Sequence, residues 1–252
     1  MTAGSPAGPK PRPSYDLEIR SLKARAVAMG EFAGAMVHDG WNAFDAGDLE
    51  AAQQVLDRAP ELDLLDEDME HAAIAFLVLR QPTAIDLRTA AALLKITTHL
   101  DRMGRLGFDM ARKTASDSDE EPDDIHRMLV QMDGIVESMV SQSLEALAND
   151  RVDLAQALFR RDDEVDALHR RVTRRIVDEL GKPSAATQRL ANELLIARHF
   201  ERIADNACKV GEKTIYALTG QRRSEYLPRH RVIPYALEAP SREGRGAKGS
   251  GR

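Results

Sequence analysis

The chain is 252 residues long, and charged residues make up 30% of it whereas aromatic residues make up only 4%. This balance favours packed helices over a β-sandwich, and no apolar run reaches the length of about 18 residues that a membrane-spanning helix needs. The net charge of −6 is unevenly spread, with +2 on residues 1–14, +5 on residues 221–252 and −13 between them, which argues against nucleic acid as a partner.

The two ends of the chain differ from its centre. Residues 1–14 hold no apolar segment typical of a signal peptide, and residues 221–252 combine glycine, proline and eight lysines or arginines with little to bury. We predict two disordered tails, the basic one giving at most a peripheral attraction to an anionic membrane or an acidic partner. The single cysteine, Cys208, suits a reducing compartment, so we expect a cytoplasmic protein.

Three helices are predicted in the first part of the chain. The first spans residues 15–45, the second follows the turn AGD at residues 46–48 and ends near residue 79, and the third spans residues 83–114. Pro82 suits a helix start, where its missing N–H costs nothing, and Asp86 then lies beside the positive end of the helix dipole. Residues 15–115 are therefore predicted to form a three-helix bundle.

A second bundle follows an acidic linker. The segment SDSDEEPDD at residues 116–124 is polar and contains Pro122, as is typical of linkers, so residues 116–122 are assigned to the linker and residues 123–220 to the second bundle. Turns are predicted at residues 148–153 (ANDRVD) and 179–184 (ELGKPS), and the last helix ends near Gly220. No segment alternates polar and apolar residues for long enough to predict a strand.

The two bundles are related by an internal duplication. Residues 43–65 align with residues 146–168 at an offset of 103, and residues 94–114 align with residues 194–214 at an offset of 100 that pairs Asp101 with Glu201. Two matches in the same order are unexpected by chance, even between helices rich in alanine and leucine. The sequence therefore predicts an all-α fold of two tandem three-helix bundles.

An acidic stripe marks the last helix. At about 100° per residue, Glu201, Asp205, Cys208 and Glu212 fall within an arc of about 60°. Carboxylates one turn apart can bind a metal ion if a second helix supplies further oxygens. The alternative is a solvated face, because Asp205 is followed four residues later by Lys209, in the orientation that favours an ion pair.

The preceding helix carries a matching acidic pair. Asp162 and Asp166 lie about as far before the turn at Pro183 as Glu201 and Asp205 lie after it. In an antiparallel pair of helices the two acidic pairs therefore lie at similar heights. A metal site in the second bundle is predicted from these four carboxylates.

Two motifs and the tandem arrangement resemble the PhoU family. The first motif, P-x-x-x-D-L-R, starts a helix at residues 82–88, and the second, E/D-x-x-x-D followed seven residues later by Glu, is formed by Glu201, Asp205 and Glu212. The resemblance covers roughly residues 15–220. It implies two packed three-helix bundles with pseudo-twofold symmetry, in a bacterial negative regulator of phosphate acquisition.

The resemblance also implies partners and cofactors. Family members link a phosphate ABC transporter to a sensor histidine kinase, which they restrain when phosphate is plentiful. We therefore expect the transporter's ATPase subunit, the kinase and a second copy of this chain, in a homodimer, as partners. Some members carry multinuclear iron-type clusters on the E/D-x-x-x-D motifs, so iron, manganese or zinc is the expected metal.

The first copy departs from the family pattern. Arg105 replaces the second carboxylate of its motif, Arg112 replaces the later glutamate, and Ala59 stands at the position equivalent to Asp162. Only Asp63 and Asp101 remain. Metal binding by these two carboxylates next to a guanidinium is doubtful.

Catalysis is not expected from this sequence. It contains no Gly-rich phosphate loop, no G-x-S-x-G and no clustered histidines. A di-metal enzyme built on a helical bundle would be expected to show Glu-x-x-His on two helices, and none is present. A metal store without a signalling role remains an alternative to the non-catalytic regulator.

Overall fold

The computed structural model describes residues 13–115, 123–182 and 186–222, in which all regular elements are α-helices. The helices are α1 (Pro13–Ala46), α2 (Leu49–Leu56), α3 (Ala59–Arg80), α4 (Ala84–Ala111), α5 (Asp124–Ala148), α6 (Val152–Leu180) and α7 (Thr187–Thr219). The predicted all-α fold of two tandem bundles is confirmed. The linker 116–122 and nearly all of both predicted tails lie outside the described residues.

The second helix of the first bundle differs from its prediction as one continuous element. It is broken after Leu56 and resumes as α3 at Ala59, with Pro60 in the first turn. Proline has no N–H and a fixed φ, so it disrupts a helix interior but suits a helix start. The equivalent residue of the second copy is Asp163, and there α6 runs without interruption.

The burial pattern extends the internal repeat. Buried residues of α1 recur in α5 at an offset of 103, and those of α4 recur in α7 at an offset of 100. Three such pairs are Met29 with Met132, Met36 with Met139, and Leu100 with Phe200. The repeat therefore extends through α1 and α5 ahead of residues 43 and 146, where the sequence alignment begins, because the duplication retained which positions face the core.

The two bundles pack directly on each other. Helix α4 lies against α7 and α1 lies antiparallel to α5. The ring of Trp41 meets the ring of Phe200 edge-on, with centroids 5.2 Å apart. Arg88 of the P-x-x-x-D-L-R motif donates through Nε to the carbonyl oxygen of Ala217 at 3.0 Å, so this arginine caps the end of α7. Within the described ranges, no helix is long and apolar enough to cross a membrane.

A cluster of ionisable side chains lies where α1 meets α5. His38 Nδ1 is 3.5 Å from Glu137 Oε1, and His126 Nδ1 is 3.4 Å from Asp45 Oδ1. Half-buried Asp133 lies among these groups. Burial, reinforced by the charges of Glu137 and Asp45 and opposed by His38, raises the pKa of Asp133 to about 6.

Asp133→Asn is expected to stabilise the protein at neutral pH. A carboxyl whose pKa is higher in the folded state makes the protein less stable as the pH rises. The loss runs from the pKa of the unfolded state, about 4, to that of the folded state, about 6. With allowance for solvent screening, we expect a gain of about 1 kcal/mol at pH 7.5 that shrinks towards pH 4.5. Urea unfolding at both pH values measures it, with exposed Glu31→Gln on α1 as the control. A gain that does not change with pH would contradict this interpretation.

Candidate functional site

Close contact between α6 and α7 sets the height of the acidic pairs. A methyl group on Gly211 would lie 2.9 Å from Leu158 Cδ1 and 3.2 Å from the carbonyl oxygen of Ala155, so the two helices touch there. Because the helices are antiparallel, each step along α6 from this contact matches a step back along α7. Asp162 is therefore level with residues 204–205, and Asp166 is level with residues 200–201.

The carboxyl of Glu201 responds electrostatically to both acidic pairs. Its side chain is partly buried. Burial raises the pKa of Glu201, the negative charges of Asp166 and Asp205 add to the rise, and Arg198 opposes it. The structure thus brings Asp166 of α6 near Glu201 of α7, as the sequence predicts.

Basic side chains of the same helices face these carboxylates. Arg198 Nη1 lies 2.8 Å from Glu201 Oε2, Lys209 Nζ lies 3.8 Å from Asp205 Oδ1, and Arg170 lies 4.0 Å from Asp166. In the described part of the chain, no three histidine, cysteine, aspartate or glutamate side chains are arranged to hold a metal ion. A metal ion would have to draw Glu201, Asp205 and Asp166 away from these pairs, so the metal site stays a prediction.

Two further residues change the description of this surface. Cys208 is 1% exposed and belongs to the core, so it is no part of the acidic stripe. His169, which the sequence comparison overlooked, is half-buried near Asp166 and Arg198, and burial lowers its pKa. A neutral imidazole is a common metal ligand. The signal was the spacing Asp-x-x-His at residues 166–169.

The equivalent surface of the first bundle is closed by Arg105. Its Nη2 donates to Asp63 Oδ1 at 2.6 Å, and its Nε donates to Asp101 Oδ2 at 3.0 Å. The guanidinium therefore lies between the two carboxylates that a cation would bridge. This donor set does not fit a metal ion while Arg105 is present.

The first bundle nevertheless holds more carboxylates than the sequence comparison counted. Burial raises the pKa of Asp66, and the neighbouring charges of Asp101 and Glu70 add to the rise. Asp66 and Glu70 follow Asp63 by three and seven residues, a spacing that places them on its side of α3. The main difference between the two bundles is thus at one position, where the first has Arg105 and the second has Asp205. Their numbers of acidic groups differ less.

Comparisons with known proteins match both bundles. The PhoU domain family model matches residues 27–114 and 129–214. The chain is 28% identical over 211 residues to a phosphate-specific transport system accessory protein PhoU homolog of Clostridium acetobutylicum, covering 83% of this chain and 96% of that protein.

Two crystal structures share the fold. PhoU from Pseudomonas aeruginosa superposes with a TM-score of 0.77 at 27% identity, over 82% of this chain and 100% of that one. The phosphate transport system regulatory protein PhoU from Streptococcus pneumoniae gives 0.76 at 22% identity, over 82% of this chain and 98% of that one, a likeness of fold alone.

Proposed function

This chain belongs to the PhoU family, and on that basis we propose that it is a negative regulator of high-affinity phosphate uptake and phosphate-starvation signalling. It acts in the cytoplasm as a non-catalytic adaptor between the ATPase subunit of a phosphate ABC transporter and a sensor histidine kinase. The observation that carries this proposal is the extent of the match. Both bundles match the PhoU domain, and the chain spans nearly the whole length of a relative named as a phosphate transport accessory protein.

Exposed apolar side chains support a role in binding proteins. Val78, Leu79 and Ile85 flank the turn between α3 and α4, and their exposed fractions are 66%, 77% and 60%. Large apolar side chains grouped on a surface are typical of protein contacts. The turn belongs to the P-x-x-x-D-L-R segment, so we propose that this end of the first bundle takes part in binding a partner or a second copy.

A metal-binding protein without a signalling role is the second candidate. It is favoured by one observation, the electrostatic coupling of Glu201 to Asp166 across two helices. The candidates separate by affinity purification from cells grown in phosphate-rich medium. The regulator co-purifies with the transporter ATPase or the kinase, whereas a metal store carries metal but neither partner.

Deletion of the gene is expected to derepress phosphate-starvation genes in phosphate-rich medium. The reason is that the kinase, released from its restraint, signals starvation although phosphate is present. Transcript levels of the starvation genes measure the effect, and expression of the full chain from a plasmid should restore repression. Unchanged repression in the deletion strain would remove the regulatory proposal. If a plasmid carrying Asp205→Ala also restores repression in the deletion strain, regulation does not require the predicted metal site.

A further inference from the structure

A groove of about 570 Å³ lies between the first half of α5 and the second half of α6. Each helix contributes residues spaced at i, i+3, i+4 and i+7, so each presents one continuous face. A face of this length extends about 10 Å. The charged residues lining the groove are four arginines and two aspartates: Arg127, Arg171, Arg174, Arg175, Asp124 and Asp178.

The arginines give this groove a positive charge on an acidic body. Arg127 pairs with Asp124, and Arg175 Nη2 lies 3.1 Å from Glu179 Oε1. Arg171 and Arg174 are exposed and make no ion pair with any residue in the described ranges. Two guanidinium groups one turn apart on α6 are therefore available to bind an anion.

The internal duplication shows that the fold does not require this cluster. At the offset of 103, the first bundle has Asp68 at the position of Arg171, His71 at that of Arg174 and Ala72 at that of Arg175. Asp68 there is paired with Arg25. Neighbouring like charges on one helix destabilise it slightly, so the arginines of the second bundle call for an explanation other than folding.

We propose that this groove binds a small oligophosphate anion, with Arg171 and Arg174 as its main contacts. Guanidinium groups bind phosphate oxygens in a bidentate manner, and the volume falls within the range of about 300–1,000 Å³ typical of small-molecule sites. Among the described residues no aromatic side chain lines the groove, so they offer no platform on which a nucleotide base could stack. Its short length suits pyrophosphate or tripolyphosphate.

The arginine groove is separate from the acidic pairs of α6 and α7, and the proposal of a ligand there does not depend on the proposed regulatory function. Asp166 of α6 acts on Glu201 of α7, whereas the arginines of α6 at positions 171 and 174 border the groove with α5. Met128, on α5, also lines the groove and gives a probe at the site. Its methyl group reports binding there even if the basic residues 223–252 also attract anions.

The test is a titration of the full chain, labelled with ¹³C at its methionine methyl groups, with tripolyphosphate at low salt. Met128→Leu identifies the Met128 signal, which is expected to shift and saturate. In Arg171→Ala/Arg174→Ala the affinity should fall at least tenfold. Arg160→Ala removes another exposed arginine of α6 and should change the affinity less than twofold. Circular dichroism confirms that each variant is folded.

Vesicles distinguish a free anion from a lipid headgroup, which presents the same phosphoryl chemistry. One outcome is that phosphatidic acid vesicles sediment the parent but not Arg171→Ala/Arg174→Ala, while tripolyphosphate leaves the Met128 signal unshifted. In that case the groove binds phosphoryl groups on a membrane, and the proposal of a free oligophosphate ligand is wrong. If neither ligand gives a response that depends on Arg171 and Arg174, the site does not exist.

Discussion

Gly107→Ala is expected to destabilise the protein by about 3 kcal/mol or more. A methyl group on Gly107 would lie 2.4 Å from the carbonyl oxygen of Met36 and 2.6 Å from the backbone nitrogen of Val37. Both atoms belong to the backbone of α1, so no side-chain rotation relieves the clash. Helices α1 and α4 would have to move apart in the core. Because a domain's total stability is about 5–15 kcal/mol, this loss would remove from about a fifth to more than half of it.

Gly134→Ala is the matched control for this prediction. Gly134 also lies inside a helix, but among the described residues no atom outside its own helical surroundings comes within 4 Å of the added methyl group. Alanine has the higher helix propensity, so we expect a gain of about 0.5–1 kcal/mol. Urea unfolding followed by circular dichroism measures both variants. Equal stability of Gly107→Ala and the parent would show that α1 and α4 are not in such close contact.

The close contact is a property of one bundle only. A methyl group on Gly40 would lie 2.3 Å from the carbonyl oxygen of Gly107, so the two glycines face each other. Their equivalents in the second bundle are Ser143 and Ala207, which are both buried and both carry a Cβ. The helix pair α5 and α7 therefore accommodates side chains at the positions where α1 and α4 cannot. The two copies kept the same core positions while their helix spacing diverged.

Sequence reasoning predicted the fold because apolar periodicity and turn residues act locally. The missed break at Pro60 was also visible locally, since a proline in the first turn marks a helix start. The similar heights of the two acidic pairs could be predicted by counting residues from the turn at Pro183. The burial of Cys208 could not be predicted in this way, because the angular position of a residue on an isolated helix does not show which neighbouring helix covers that residue.

Features formed by two helices were harder to foresee. The sequence predicted Arg105 next to Asp63 and Asp101, but it did not predict that the guanidinium bridges the two carboxylates. Asp66 and Glu70 were missed because only the motif positions of the two copies were compared. The arginine groove was missed because its halves are 40 residues or more apart in sequence and meet only when α5 packs on α6.

Asp205→Ala is expected to abolish stoichiometric binding of iron, manganese or zinc, whereas Asp101→Ala is expected to leave it intact. A divalent or trivalent cation needs anionic oxygens to offset its dehydration. In the second bundle we expect them from Asp162, Asp166, Glu201 and Asp205; the charges of Asp166 and Asp205 already act on Glu201. Elemental analysis of both variants and the parent, purified side by side, measures the metal content.

Arg105→Asp extends this comparison to the first bundle. In the parent the guanidinium of Arg105 holds Asp63 and Asp101; its replacement by a carboxylate frees both and removes the repulsion of a cation. We expect this variant to bind additional metal, supported by Asp66, whose pKa is raised by burial and further by its acidic neighbours. If Asp101→Ala loses metal as completely as Asp205→Ala, the asymmetry between the bundles is wrong. If the parent binds no metal, the acidic pairs of the second bundle form only a solvated surface, on which Arg198, Lys209 and Arg170 pair with Glu201, Asp205 and Asp166.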